Sequence, residues 1–203
     1  MLEGSPAPKE ALGAGDSEAE FADAIARADW RGALTLLMER YGDAIYRFCR
    51  QMIGDETLAA DVHQLTFVQA FSDLASFSGR SLVRTWLFGI ARHRCVDALR
   101  ARRRWQGRFE PLKSEGDRSE SIDPAPPADE RMSRQEIVAA LDRCLGELAS
   151  GVKIVVLLRH VEGFSYEDMS RICGERAGTL QARVARAMPV LRACIERRTG
   201  RSA

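Results

Sequence analysis

The stretch "EGFSYEDMSRICGERAGTLQARVARAM", Glu162 to Met188, is the most legible part of the chain. Ser165 with Asp168 three residues on marks a helix start, because a serine oxygen takes up a first-turn amide that has no partner inside the helix. Tyr166, Met169, Ile172 and Cys173 then give that helix an apolar side. Gly174 permits a sharp turn. A second helix is expected from Gly178-Thr179, with Leu180, Val184 and Ala187 inward and Gln181, Arg183 and Arg186 pointing elsewhere. Helix, tight turn, helix is the layout whose second helix can lie in the major groove of DNA. Ordinary helical hairpins share it, so the pattern leaves both readings open.

A second stretch, "RTWLFGIARHRCVDALRARRR" from Arg84 to Arg104, has one apolar side made of Leu87, Ile90, Ala91, Cys95 and Ala98, with Val83 just ahead. The remainder is largely arginine, with Asp97 as the single acid. A solvated helix face normally mixes its charge signs. Arginines also gather toward the C-terminus, at Arg176, Arg183, Arg186, Arg192, Arg197, Arg198 and Arg201. Residues 1–29 and 109–130 each balance to −5, so the overall charge of +1 conceals two basic patches. Two arginine-rich patches on a near-neutral chain point to two contacts with a polyanion.

The 203 residues, 45% hydrophobic, suit one medium domain or two small ones with real cores. Residues 1–17 read as disordered. Helical patterning runs from 18 to about 106, lapses through the acidic, proline-containing segment 107–132 ("DPAPPADE"), and returns over 133–198, with 199–203 as a tail. The expected fold is all-α: two small helical domains on a flexible acidic linker, the second containing the helix-turn-helix. No run of about 18 apolar residues exists to span a membrane, and the first fifteen residues lack the basic start and apolar stretch of a secretory signal. Five scattered cysteines, with no C-x-x-C pair, suggest a reduced cytoplasmic chain whose cysteines are small buried apolar residues. No metal site, cofactor or small-molecule substrate is expected.

The segment "LAADVHQLTFVQAFSDL", Leu58 to Leu74, is apolar nearly all round: Leu58, Val62, Leu65, Phe67, Val68, Phe71 and Leu74 cover most of its circumference. Such a helix is either central in its own domain or half covered by a partner. Asp61, Gln64 and Gln69 would border that partner.

Taken in order, these pieces resemble bacterial RNA polymerase sigma factors of the extracytoplasmic-function (ECF) group of the sigma-70 family. The family's D-x-x-Q-x-x-F appears as Asp61, Gln64 and Phe67; its W-L-x-x-I-A as Trp86, Leu87, Ile90 and Ala91; its D-x-x-R as Asp97 and Arg100. Leu148, "EGFSYED" and "GTLQARVARA" resemble its second domain. The likeness covers roughly 30–105 and 133–198. It departs from the family at Leu65, usually an acid; His93, often Asn; Ala149, usually Pro; Gln181, often Lys; and Met188, often Arg. Pro189 is expected to kink or stop the recognition helix, since proline clashes with the carbonyl of Ala185 and removes an amide donor.

The resemblance implies that the first domain docks on the β′ clamp helices of core RNA polymerase through Asp61, Gln64, Phe67, Val68 and Phe71. The same domain would capture the promoter −10 element as a single strand through Ser78, Arg80, Ser81, Arg84, Trp86, Arg92, His93 and Arg100. Taken by its own pattern, Trp86 reads as core rather than as a base-stacking platform, because it begins a helix with Leu87 inward. The second domain would read the −35 duplex through Arg176, Thr179, Gln181, Ala182, Arg183 and Arg186. An anti-sigma factor is the expected regulator. Two alternatives remain: a stand-alone helix-turn-helix regulator, and a decoy that binds an anti-sigma factor. No enzyme is expected, because His63, His93 and His160 adjoin no nucleophile or acid arrangement.

Overall fold

The computed structural model describes residues 14–109 and 134–200, and every regular element among them is helical. The first domain holds α1 (Ala14–Ala26), α2 (Trp30–Ile53), α3 (Glu56–Asp73) and α4 (Val83–Phe109). The second holds α5 (Arg134–Glu147), α6 (Ser150–Val156), α7 (Tyr166–Cys173) and α8 (Ala177–Thr199).

Local chemistry sets the boundaries. Asp29 caps α2 by accepting from the Gly32 amide at 2.9 Å. Gly54, at φ 73°, ends that helix in the left-handed region, where a side chain would be strained. Asp55 then caps α3 by accepting from the Leu58 amide at 3.0 Å. The reversal therefore takes two residues and lays α3 back along α2. Phe48 of α2 and Phe88 of α4 meet edge to face at 5.5 Å, both fully buried. Glu18 of α1 accepts from the Val83 amide at 2.9 Å, a carboxylate at the positive end of α4.

Several boundaries differ from the sequence expectation. A helix starts at Ala14, inside the stretch read as disordered, because Phe21 and Ala24 bury against α2 and Glu18 is tied to α4. Helix α4 extends to Phe109, into the segment read as linker; no proline interrupts the sequence before Pro111. The rest of that linker, 110–132, lies outside the described residues, as do 1–13 and 201–203.

Helix α8 does not stop at Pro189. It continues to Thr199, because Leu191 and Cys194 prolong the buried stripe begun by Leu180, Val184 and Ala187. Two links to α5 hold its far half: a Cys144–Cys194 disulfide and an Arg198–Glu147 ion pair. The disulfide corrects the expectation that all cysteines are free. Fifty residues of sequence separate the pair, but helix packing brings their Cα atoms to 5.9 Å. Cys49 and Cys95 remain free and buried, with Sγ atoms 3.7 Å apart.

Candidate nucleic-acid interface

The turn between α7 and α8 forms as its residues dictate. Ser165 accepts from the Asp168 amide at 3.1 Å and donates to its carboxylate at 2.6 Å. Gly174 takes φ 70°. Met169, Ile172, Leu180 and Val184 are buried, which fixes the angle between the helices. Arg176, Thr179, Gln181, Ala182 and Arg186 consequently stand exposed on the first turns of α8. Arg183 behaves differently. Its guanidinium meets the Glu175 carboxylate in a two-pronged pair at 2.9 and 2.5 Å. That pairing holds Glu175 below the ordinary carboxylate range and raises Arg183. Arg183 braces the turn, while Gln181 and Arg186 are left open to a ligand.

Helix α3 separates its apolar residues into two sets. Val62 and Phe67 are buried, with Phe67 edge-on to His63 at 5.1 Å. Leu65, Val68 and Phe71 are 49%, 56% and 43% exposed and fall three residues apart, so they form an outward stripe. Exposed Asp61 and Gln64 adjoin it. Phe67 is not part of that outward stripe, because its ring points into the core, whereas Leu65, read from sequence only as a departure, is part of it. Gln69 turns inward and bonds Asp73 and Arg94.

The basic face of α4 and the loop before it form a cleft of about 580 Å³. Ser81, Trp86, His93 and Arg94 line it, and Arg171 of α7 contributes to its wall. Trp86 is half-buried against Phe77 at 5.0 Å between ring centres, so it serves both the core and the cleft. Ser78 and Arg80 are exposed, bonded to each other at 2.9 Å, and Gly79 between them adopts φ 66°. His93 and Arg100 are exposed, each 3.9 Å from Asp97.

Arg84 and Arg92 are half-buried. Arg84 donates to the Glu162 carbonyl at 2.6 Å, lies 3.4 Å from its carboxylate, and sits 4.1 Å from the centre of the Phe164 ring. Burial pushes the Glu162 carboxyl upward, offset in part by Arg84 and Arg47. Burial also pushes the Cys173 thiol up, offset in part by the nearby Arg92. Among the described residues, no three potential ligand side chains converge on a metal site, and no helix is long and apolar enough to cross a membrane.

Two family models match the chain: sigma-70 region 2 over residues 37–105 and sigma-70 region 4 over 139–188. The chain is 32% identical over 184 residues to the ECF RNA polymerase sigma factor SigC of Mycobacterium tuberculosis, covering 90% of this chain and 95% of that one. It belongs to the ECF group of sigma-70 family sigma factors. SigX of Bacillus subtilis is 28% identical over 165 residues, covering 79% of this chain and 82% of that relative. The solved structure of RpoE from Bartonella quintana, in complex with the anti-sigma factor NepR, is 25% identical. It superposes with a TM-score of 0.61 over 78% of this chain and 94% of that one. The CnrH structure, 24% identical, shares the fold with a TM-score of 0.64 over 89% of this chain and 97% of that one. The outward stripe of α3 and the clefted face of α4 thus lie in sigma region 2, and the exposed start of α8 in region 4.

Proposed function

We propose that this chain is an alternative sigma factor. It binds core RNA polymerase through the outer face of α3, captures the −10 element as a single strand along α4 and the 77–81 loop, and reads the −35 duplex with the first turns of α8. The observation that carries this reading is the stripe Leu65–Val68–Phe71. An apolar row left exposed beside the arginine-rich helix α4 suits a protein partner next to a nucleic acid. The small polar loop and the adjoining cleft, where Trp86, His93 and Arg94 stand beside Asp73 and Asp97, suit an unstacked base, and the exposed arginines Arg80 and Arg100 suit its backbone. The work is binding and strand separation in the cytoplasm, with no covalent step. An anti-sigma factor is the proposed regulator, because the RpoE relative was solved with one.

Transcription in vitro with purified core polymerase tests this reading. The wild-type chain is expected to direct initiation at discrete promoters, and a folded Val68→Asp variant to lose both polymerase binding and transcripts. A chain that instead bound palindromic duplex tightly as a dimer, without polymerase, would be a stand-alone regulator.

A further inference from the structure

Two helices of the first domain supply the polar groups of the cleft beside Trp86. Trp86, Gly89, Ile90 and His93 fall three and four residues apart, so they share one face of α4. Helix α3 contributes Gln69 and Asp73. A side-chain carbon built on Gly89 meets no atom within 4 Å, so the missing side chain leaves open space beside Trp86. Neither Gln69 nor Asp73 was expected from sequence to touch DNA.

The two are joined in a chain of hydrogen bonds that has a direction. A guanidinium carries only donors, so Arg94 meets the oxygen end of the Gln69 amide. The nitrogen end is thereby turned to Asp73, and Gln69 Nε2 donates to Asp73 Oδ1 at 2.8 Å. Asp73 Oδ2 has no hydrogen-bond partner among the described residues. Asp73 is half-buried and a carboxylate only accepts, so the chain presents the cleft with a positioned acceptor.

The four bases differ in how they answer such a group. Adenine, cytosine and guanine each carry an exocyclic amine that can donate to a carboxylate, whereas thymine carries carbonyl oxygens in its place. Oxygen set against oxygen leaves a desolvated acceptor unpaired, which is more costly than a missing bond in water. We propose that Asp73 is a specificity-determining residue of the −10 face: the cleft takes a base that bears an exocyclic amine and refuses thymine. This rests on the −10 role given to α4 above and adds the chemistry of the base. A brace between α3 and α4 would alter stability alone; a group that reads a base alters sequence preference.

The test is Asp73→Asn, which keeps the shape of the side chain and inverts its chemistry. Gln69 still donates to Oδ1, so the new amide nitrogen stands where Oδ2 stood, and a donor faces the base. Holoenzymes assembled from core polymerase and each full-length chain transcribe a library randomised over the −10 element of a promoter mapped beforehand in vitro. Sequenced transcripts give the base at every position. The wild type is expected to deplete thymine at one position by roughly fivefold or more. Asp73→Asn is expected to enrich thymine at that same position and leave the others unchanged. Asp73→Ala, which carries neither group, should flatten the preference there and gives a second reading should Asp73→Asn melt early. A wild type that accepts thymine throughout overturns the proposal, as do preferences that stay the same in the Asp73 variants. Gly89→Leu separates the proposal from the reading beneath it, because it fills the cleft and leaves Asp73 in place. If it abolishes initiation while the Asp73 variants keep the wild-type preference, a base enters the cleft but Asp73 does not read it, and the proposal alone falls. If it leaves initiation unchanged, no base enters the cleft, and the −10 role of the cleft falls as well.

Discussion

At the scale of single residues, the recognition helix shows why residue type alone does not settle a role. Gln181, Arg183 and Arg186 are spaced alike for a groove, yet Glu175 engages Arg183 and leaves the other two exposed. Gln181→Ala is therefore expected to change the preferred −35 sequence, at a cost of about 1–3 kcal/mol at one base position. Arg186→Ala should weaken all promoters alike and flatten the salt dependence. Arg183→Ala should lower thermal stability and shift no base preference. Transcription from a randomised −35 library, beside thermal melts of each variant, checks all three. If Arg183→Ala altered the preferred sequence, its pairing with Glu175 would not persist on DNA.

At the scale of elements, α3 and α8 show what periodicity conveys and what it omits. The apolar spacing located both helices, the turn at Gly174 and the inward residues Leu180 and Val184. It could not orient α3, because a helix that is apolar all round carries no sign of which side its own domain covers; Phe67 and Val68 are adjacent, yet one is buried and the other exposed. Phe67→Ala should accordingly cost about 3–5 kcal/mol of stability, whereas Val68→Asp should leave the melting temperature nearly unchanged and remove polymerase binding. In α8 the local rule against proline was outweighed by packing on both sides of it. Pro189 is exposed within a helix that carries on to Thr199, so Pro189→Ala should stabilise the chain by up to about 3 kcal/mol, read as a higher melting temperature. A lower one would mean that the proline sets a bend the packing requires.

At the scale of the whole molecule, what the sequence concealed is contact between distant residues. Arg84 and Glu162 lie 78 positions apart, Cys144 and Cys194 50 apart, and neither pair has a local signature. Each link nonetheless bears on the stability of everything else, since the two domains share one apolar core. Closing a 50-residue loop by a disulfide stabilises a fold by at most about 4 kcal/mol through the entropy of the unfolded chain. In a cooperative unit of this size that corresponds to roughly 8–16 °C in melting temperature. Because the cores are continuous, the loss should be felt by both domains. Cys144→Ala/Cys194→Ala is therefore expected to melt in one transition, displaced downward as a whole, with the tryptophans Trp30, Trp86 and Trp105, all three in the first domain, reporting the same midpoint as far-ultraviolet circular dichroism. Adding reductant to the wild type should reproduce the shift and leave the variant unaffected. Two transitions, with the tryptophan signal unmoved, would show that the first domain stands alone and that the shared core contributes nothing to it.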